Sequence, residues 1–372
     1  MPNQTNLVQF VCSVHDPGGR LRAFLQALRP ALRKKGHLAL CIGSTATSDI
    51  EWISAAGADS AARRMTPAID AEALVLGAPK SASNVPVSPR GIVSPVVLSR
   101  AMLGVVDCQI DVFDCGTFHS PLLEHQRVGG RPAQCLQTGT ALPITDVEML
   151  FERGRREGRR LGNEASYVII GECVPAGTTT ALGILTALGY DAMKLVSSSM
   201  PGANHAKREQ LVRIGLERSG LLLPVAAPLS AVAAVGDPMQ PFAAGLVLEA
   251  SKTIPVVLGG GTQMLAVYAL AKAIEGLTGL EDRMAAVLTT KWVAFDSGSD
   301  PRSLAQKVGA PFAASCPDFQ SSRHAGLRAY EEGNVKEGVA AGALMSLAFL
   351  AGKTDAEICE AIDRQYEVMV PQ

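Results

Sequence analysis

The chain has 372 residues, of which 47% are hydrophobic and 19% charged. This length suits one large domain with a smaller one beside it, and the apolar fraction excludes general disorder. The 34 basic and 35 acidic residues give a formal net charge of −1, so no excess positive charge attracts nucleic acid or an anionic membrane. We therefore expect small-molecule partners, with no nucleic acid and no membrane among them.

The eight cysteines are scattered without a Cys-x-x-Cys pair, and the six histidines show no metal-ligand spacing. These patterns predict no zinc site and no disulfide framework. The first residues lack the basic and apolar regions of a secretory signal, and the longest apolar stretch, residues 221–235, contains two prolines. We expect a cytoplasmic protein that uses neither a metal nor a cofactor.

Short apolar runs alternate with longer helical patterns through the middle of the chain. The runs predict strands at residues 8–14, 37–43, 73–76, 111–114, 167–171, 192–196 and 254–258. The helical patterns lie at residues 146–161, 179–188, 205–218 and 262–275. Such strand–loop–helix units predict an α/β fold with a mostly parallel, Rossmann-like sheet covered by helices.

The domain organisation follows from where these units begin and end. We expect a large α/β domain over residues 36–290. Residues 1–35 and 291–372 should form a smaller helical domain, which includes an almost purely apolar helix at 338–350.

A glycine- and threonine-rich loop follows the strand predicted at 167–171. Its sequence, GECVPAGTTT, is neither a Walker P-loop nor a GxGxxG dinucleotide loop. Free N–H groups at the start of the next helix would attract a phosphate or carboxylate, although an ordinary capped turn has the same spacing. The candidate anion-binding residues are Gly177, Thr178, Thr179 and Thr180. Glu172 is either a carboxylate of the site or a partner of the local helix start.

A second glycine-rich loop follows the strand predicted at 254–258. Three glycines allow a ligand to approach the backbone closely, and the threonine after them is a candidate N-cap. The alternative is a tight turn that only needs positive φ angles. The candidate binding residues here are Gly259, Gly260, Gly261 and Thr262.

Two charged residues elsewhere have both a functional and a structural interpretation. Glu337 precedes the apolar helix at 338–350, where burial would raise its pKa and make it a usable base. A glutamate at a helix start also interacts favourably with the helix dipole. Lys207 is either a phosphate partner or a solvated lysine.

Taken together, these segments resemble the nicotinate-nucleotide:dimethylbenzimidazole phosphoribosyltransferases, and most closely their divergent archaeal and cyanobacterial branch. The family's GE-x-G-x-G-N-T-T loop is matched by residues 171–180, and its G-E-G-T-G-A segment by residues 336–340. Its V-G-G-L-E-I-A-A-L-A-G and I-P-V-V-L-D-G runs resemble residues 235–245 and 254–259. Residues 54–58, 66–72, 91–103 and 111–116 match further segments in the same order.

The resemblance implies a homodimer that transfers the phosphoribosyl group of nicotinate mononucleotide to an aromatic nitrogen base in cobamide lower-ligand assembly. Glu337 would be the general base, and Glu172 would stabilise the ribosyl centre through its charge. The matched run also adds Gly236 and Asp237 to the substrate-binding candidates. Which loop would bind the 5′-phosphate, and which the nicotinate carboxylate, stays open.

The chain departs from the better-known enzymes where they bind the acceptor base. The family's H-x-S-x-E-x-G-H stretch is matched only by residues 295–300, and an N-terminal P-P-G-S-L-G element is missing. The acceptor therefore stays open between benzimidazole-like and purine-like bases. The alternatives are a non-catalytic nucleotide-binding or regulatory protein, and a phosphoribosyl enzyme with an unrelated acceptor.

Overall fold

A computed structural model describes residues 6–8, 10–200, 204–276, 280, 283–334 and 337–370. Over these residues the chain forms one sheet of nine strands. In chain order they are β1 (Asn6–Val8), β2 (Val11–His15), β3 (Gly36–Ile42), β4 (Cys108–Asp114), β5 (Gln126–Arg127), β6 (Val168–Cys173), β7 (Val256–Gly259), β8 (Ala285–Thr290) and β9 (Phe312–Ser315).

Fourteen α-helices within the described ranges cover both faces of this sheet. They are α1 (Arg20–Ala31), α2 (Ser60–Leu76), α3 (Val96–Leu103), α4 (Ile144–Glu164), α5 (Gly177–Ala187), α6 (His205–Ser219), α7 (Pro228–Val235), α8 (Met239–Ala250), α9 (Thr262–Glu275), α10 (Lys291–Ala294), α11 (Pro301–Val308), α12 (Ala325–Glu331), α13 (Ala341–Leu350) and α14 (Asp355–Met369). None of them combines the length and apolar character that crossing a bilayer requires.

The sheet is parallel from β3 to β9, while β1 and β2 are antiparallel at one edge. The strand order is β1-β2-β9-β8-β7-β6-β3-β4-β5. Strand β3 pairs with β4 on one side and with β6 on the other, so the direction of winding reverses between β3 and β6. Open α/β sheets bind ligands beside the carboxyl ends of strands at such a reversal.

Side chains alternate between the two faces along each buried strand, as a period of two requires. In β6, Val168 and Ile170 belong to one apolar core, and Ile169 and Cys173 to the other. The first core includes side chains of α4 to α9, and the second includes those of α1 to α3, α13 and α14. Burial on both faces explains why the strands are nearly continuous apolar runs in the sequence.

The predicted α/β class with a mostly parallel sheet is confirmed. The helix predicted at 262–275 coincides with α9, and the one predicted at 205–218 agrees with α6 to within one residue. Two predicted strands are wrong, because residues 73–76 complete helix α2 and residues 192–196 form turns. The strand predicted at 8–14 is two strands, separated by a turn that includes Phe10.

Both chain ends contribute to the same sheet. Strands β1, β2 and β9 lie within the ranges predicted to form the smaller helical domain, and they extend the sheet beyond β8. Helices α1 and α10 to α14 also belong to these ranges. The division near residues 35 and 290 stays a prediction.

Glycines on two neighbouring strands allow α13 to approach the sheet closely. Gly171 of β6 is directly opposite Gly259 of β7. A Cβ at Gly259 would lie 2.8 Å from the Cβ of Ala340 and 2.9 Å from that of Ala343, and one at Gly171 would lie 3.0 Å from the Cβ of Ala340. The start of α13 therefore packs on backbone, with no side chain between it and these strands.

Replacing Gly259 should destabilise the protein. We expect Gly259→Ala to cost about 1–3 kcal/mol in the free energy of unfolding, because both contacts are closer than alanine tolerates. Chemical denaturation measures the change. Gly104→Ala is the matched control, since Gly104 has φ −76° and its added Cβ would be no closer than 3.4 Å to other atoms. Equal stability of the two variants would contradict the close packing.

Adding Ala340→Gly should recover part of this loss, since it removes one of the two clashing Cβ atoms. It also places glycine at a φ of 62°. The contact with Ala343 remains, so recovery should be incomplete.

Candidate functional site

A pocket of about 840 Å³, including its open mouth, lies at the carboxyl ends of the parallel strands. The segments that follow β3, β6, β7 and β8 all contribute to it. Helix α2, the segment before α3 and the turn before α13 complete its wall. Its lining includes Ala55, Asp70, Pro86, Val87, Ser88, Ile92, Val93, Ser94, Pro95, Glu172, Cys173, Gly177, Thr178, Ser197, Ser199, Gly261, Thr262, Gln263, Glu337 and Gly338.

Glu172 lies near the end of β6 and is buried, with 4% of its surface exposed. By the alternation along the strand it faces α5 and α9, whereas Cys173 faces α2. The carboxylate oxygen Oε2 accepts a hydrogen bond from the N–H of Val174 at 3.2 Å, and the Gln263 side chain also hydrogen-bonds this carboxyl group. The strand predicted at 167–171 ends just before Glu172, whereas in the structure Glu172 is part of β6.

The turn after β6 holds a non-glycine residue in the left-handed region. Ala176, the residue before α5, has φ 67°. Helix α5 then begins at Gly177, where a Cβ would collide with the Gln263 side chain. Thr178 lines the pocket, but Thr179 and Thr180 are fully buried and lie outside its lining.

Arg208 hydrogen-bonds this turn from the side away from the pocket, and no pattern in the sequence identified it. Arg208 is 2% exposed. It donates to the carbonyl of Thr178 at 3.0 Å, to Thr179 Oγ1 at 3.3 Å and to the carbonyl of Val196 at 3.4 Å. Burial lowers its pKa to about 10, which still leaves it charged at neutral pH. Its charge therefore lies directly behind the start of α5.

The lysine next to it does not reach the site. Lys207 is exposed, and its Nζ lies 5.3 Å from the ring centroid of Trp52. The sequence pattern could not distinguish Lys207 from Arg208, because only the packing of α6 shows which of them faces inward.

In the loop after β7, some residues line the pocket and others pack against neighbouring side chains. Gly261 and Thr262 line the pocket. Gly259 packs against α13 instead, and Gly260 packs against Met264, whose Cγ would lie 2.8 Å from an added Cβ. Gly261, rather than Thr262, is the N-cap of α9, and Thr262 Oγ1 lies 3.1 Å from Ser197 Oγ.

Gly236 and Asp237 lie behind the pocket and not in its lining. Gly236 ends α7, in contact with Val232 and Gln240. Asp237 is fully buried and accepts hydrogen bonds from Thr180 Oγ1 and from the N–H of Met239. These contacts join the starts of α5 and α8, which is a structural role.

Glu337 lies in the turn before α13, and its carboxylate accepts four hydrogen bonds. Oε1 accepts from the N–H groups of Gly338 and Gly342, both at 3.1 Å. Oε2 accepts from Thr289 Oγ1 at 3.0 Å and from the N–H of Thr290 at 2.9 Å. The helix-start interpretation thus describes a real contact, because Gly342 belongs to the first turn of α13. The preceding residue, Lys336, lies outside the described residues.

This turn is tied to the end of β6. The N–H of Val339 donates to the carbonyl of Glu172 at 3.0 Å, and Ser99 Oγ donates to the carbonyl of Val339 at 2.7 Å. Val339 and Ala340 have φ angles of 52° and 62°, which a β-branched residue and an alanine rarely adopt. The fold therefore maintains an unfavourable backbone in order to place Glu337 beside Glu172.

The two glutamates affect each other's protonation. Burial, and next to it the charges of Glu337 and Asp237, raise the pKa of Glu172 to about 8. Burial also raises the pKa of Glu337 to about 7, although its four donors act in the opposite direction. Because only an ionised carboxylate accepts four donors, the negative charge of the pair belongs on Glu337 and the proton on Glu172.

A third carboxyl group, Asp70 of α2, completes the acidic lining. Oδ2 accepts from Ser94 Oγ at 3.0 Å and from the Cys173 thiol at 3.4 Å. Burial raises its pKa to about 7. Asp70 lies in the segment 66–72 that matched the family, but no pattern in the sequence singled it out.

The described lining of the pocket contains no lysine, arginine or histidine. Within this described lining, the groups able to hold an anion are hydroxyl groups and the N–H groups at the starts of α5 and α9, which have no carbonyl partner within their helices. Elsewhere in the described part of the chain, no His, Cys, Asp or Glu side chains are grouped as a metal site.

Comparisons with known proteins agree with this architecture. A family described as Phosphoribosyltransferase matches residues 96–279. The crystal structure of CobT from Thermus thermophilus superposes with a TM-score of 0.63 at 21% identity, covering 93% of this chain and 90% of that one. A second structure, of nicotinate-nucleotide-dimethylbenzimidazole phosphoribosyltransferase from the same organism, gives a TM-score of 0.62 at 21% identity, with 93% and 89% covered.

The fold is that of the two CobT-type structures, and the resemblance to the phosphoribosyltransferase family found in the sequence is confirmed. A UPF0284 protein of Gloeobacter violaceus is 42% identical over 97% of this chain and 95% of its own length. One from Cyanothece is 45% identical over 83% of this chain and 86% of its own. The chain belongs to the UPF0284 family.

The raised pKa of the buried Glu172 should make stability depend on pH. The pKa of Glu172 is about 8 in the folded chain against an ordinary 4.5, so the folded state keeps a proton that the unfolded chain releases between these values. Over that range the free energy of unfolding should fall with rising pH, by up to about 1.4 kcal/mol per pH unit from this group. Glu172→Gln removes the effect, so this variant should be more stable than the parent near pH 8.

Chemical denaturation near pH 5 and near pH 8 tests this. The advantage of Glu172→Gln should shrink toward pH 5, because the unfolded chain begins to take up the same proton as the pH approaches its ordinary pKa of 4.5. Glu332→Gln, at an exposed glutamate, should follow the parent at both values. A Glu172→Gln variant that is less stable than the parent near pH 8 would show that Glu172 is ionised in the folded protein.

Proposed function

We propose that this protein transfers the 5-phosphoribosyl group of nicotinate mononucleotide to an aromatic nitrogen base. The products are nicotinate and an α-linked nucleotide of the kind used as a cobamide lower ligand. The observation that carries the proposal is the pair of Glu172 and Glu337, tied together beside two helix N-termini in one pocket.

The chemistry requires few catalytic groups. Nicotinate mononucleotide carries a pyridinium at its anomeric carbon, so the ring nitrogen leaves with the electron pair of the C–N bond and departs neutral. The acceptor nitrogen attacks from the opposite face and forms the new C–N bond, which inverts the β-nucleotide to an α-nucleotide. The acceptor ring becomes cationic in this step and must release its N–H proton. A carboxylate beside the acceptor is therefore the main catalytic requirement.

Glu337 fits the role of this base. It carries the negative charge of the acid pair, and Gly338 beside it packs against the pocket residue Pro95, with 3.5 Å between an added Cβ and Pro95 Cγ. Three of its four donors are backbone N–H groups with fixed positions, whereas the Thr289 hydroxyl can rotate away. Oε2, which Thr289 contacts, is therefore the atom that would take the proton.

Glu172 fits a different role from the one that the sequence suggested. With a pKa of about 8 it is mostly protonated at neutral pH, so it begins the reaction as a neutral hydrogen-bond donor. Its proton stays on the carboxyl group, and the dipole of its carbonyl oxygen would stabilise the positive charge that develops at the ribosyl centre. This interaction grows with the charge, so it stabilises the transition state more than the bound substrate.

The anionic groups of the donor suit the side of the pocket formed by α5 and α9. Thr178, Ser197 and Thr262 present hydroxyl groups there, and Ser199 Oγ accepts from the N–H of Ala55 at 2.9 Å. Arg208 adds positive charge behind the start of α5. This arrangement supports binding of the 5′-phosphate or the nicotinate carboxylate by helix N-termini without a basic side chain in contact.

The substitution Glu337→Gln should lower turnover at least about 100-fold, because the amide keeps the shape of the side chain but cannot accept the proton. Binding of nicotinate mononucleotide should change little, since the loss is confined to the transition state. The assay incubates the protein with nicotinate mononucleotide and a panel of benzimidazoles and purines, and measures nicotinate release.

Glu332→Gln, five residues earlier and exposed, is the control and should turn over like the parent. Binding of nicotinate mononucleotide without nicotinate release from any acceptor would indicate a non-catalytic nucleotide-binding protein. Normal turnover of Glu337→Gln would leave Glu337 only its role at the start of α13.

The pH dependence of kcat/KM should be bell-shaped. Activity should rise as pH increases through about 7, where Glu337 ionises, and fall above about 8, where Glu172 loses its proton and can no longer act as a hydrogen-bond donor. Glu172→Gln should remove the fall at high pH and keep the rise. Loss of the rise in this variant would reverse the two roles.

We also expect a homodimer, as the resemblance implies. Light scattering coupled to gel filtration measures the mass in solution.

A further inference from the structure

Among the acidic residues in the described lining of the pocket, Asp70 is the one that the proposed mechanism does not use. It is buried, with 3% of its surface exposed, and it lines the pocket. Ser94 and Cys173 both donate to Oδ2, but Oδ1 has no hydrogen-bond partner among the described residues although it is buried. A buried carboxyl oxygen without a partner is uncommon, and one in a pocket wall indicates a partner supplied by a ligand.

The position of Asp70 shows which ligand group it would meet. Asp70 contacts Cys173, whose side chain faces the opposite side of β6 from α5 and α9. The hydroxyl groups and helix N-termini suited to phosphate lie on the α5 side. The segment 86–95, which supplies Ser94 to Asp70, lines the pocket mainly with apolar side chains, namely Pro86, Val87, Ile92, Val93 and Pro95, together with Ser88 and Ser94.

This apolar segment also borders the proposed base. Pro95 packs against Gly338, the residue after Glu337, and Ser99 in the following helix holds Val339. The acceptor ring must lie beside Glu337 in order to transfer its proton there. It would then lie on prolyl and valyl side chains, with Asp70 as a polar group at the edge of this apolar surface.

We propose that Asp70 selects the acceptor through Oδ1, and that the preferred acceptor is an aromatic base with a hydroxyl or amino group on the ring rather than only hydrocarbon substituents. This inference rests on the proposed function, whose acceptor it specifies. A methyl group opposite Oδ1 would leave that buried oxygen without a partner. Sites that are built to hydrogen-bond a substrate hydroxyl discriminate strongly against the analogue without it.

The charge state of Asp70 is consistent with this role. No cation contributes to its pKa, which burial raises to about 7. In the protonated form the carboxyl group both donates and accepts, so it can pair with a hydroxyl group in either direction.

The test compares 5-hydroxybenzimidazole with 5-methylbenzimidazole, which are nearly equal in size and share the reacting ring. Both are supplied together with nicotinate mononucleotide, and the two nucleotide products are quantified. The parent should favour the hydroxyl compound by at least about tenfold in kcat/KM. Asp70→Val should abolish or reverse this preference, and Asp70→Asn, which keeps hydrogen-bonding capacity, should retain most of it.

Asp363→Asn is the matched control, because Asp363 is a buried aspartate outside the pocket that pairs with Ser322. Its product ratio should equal that of the parent. A parent that favours the methyl compound, or an unchanged ratio in Asp70→Val, would overturn the inference while nicotinate release upholds the proposed function. A uniform loss with both acceptors would assign Asp70 to the ribose instead, and would also overturn it.

Binding supplies a readout that does not need turnover. The hydroxyl compound should raise the melting temperature of the parent more than the methyl compound does, and Asp70→Val should lose this difference. If no acceptor releases nicotinate, the proposed function fails, whereas the melting shifts still decide whether Asp70 selects the ring. Circular dichroism establishes that each variant is folded, and the ratio of the parent alone can overturn the inference if Asp70→Val does not fold.

Discussion

The hydrogen bond from the N–H of Val339 to the carbonyl of Glu172 joins the two parts of the chain on which the site depends. One part is the end of the central strand β6, and the other is a turn more than 160 residues later. Because this bond uses backbone atoms, it places both glutamates without involving either carboxyl group. The spacing of the acid pair is therefore set by the sheet and by the packing of α13 against it.

The backbone around this bond is strained, and the surrounding packing explains how the strain is maintained. Ala176, Val339 and Ala340 all have positive φ angles, at a cost of order 1–3 kcal/mol each. Gly171 and Gly259 leave space for Ala340 on the sheet, and every residue of α13 is buried. The apolar contacts of α13 hold the turn, and the turn holds Glu337 with its four donors.

The sequence predicted the features that depend on local patterns and on loops next to strands. The strand–loop–helix units and the two glycine-rich loops were visible, and Glu172 and Glu337 were identified because their motifs match a family. The sequence did not predict the features that depend on packing between elements. The segment 73–76 is apolar enough for a strand, but it completes α2, and residues 192–196 follow a glycine-containing turn without pairing in the sheet.

The same limit applies to individual side chains. Lys207 and Arg208 are adjacent in the sequence, and only tertiary contacts bury the arginine behind the loop. Thr180 and Asp237 belong to matching motifs, yet they bond to each other behind the pocket. Asp70 becomes notable only when its contacts are counted, since one oxygen has two donors and the other has no partner among the described residues.

The central claim is that the two glutamates share one proton, with the charge on Glu337. Carbon-13 NMR of the free protein, with labelled glutamate carboxyl groups assigned through Glu172→Gln and Glu337→Gln, measures this directly. The account predicts that these two carboxyl groups titrate near pH 7 and pH 8, with Glu337 ionising first. Titration of both groups near the ordinary glutamate pKa of 4.5 would contradict it.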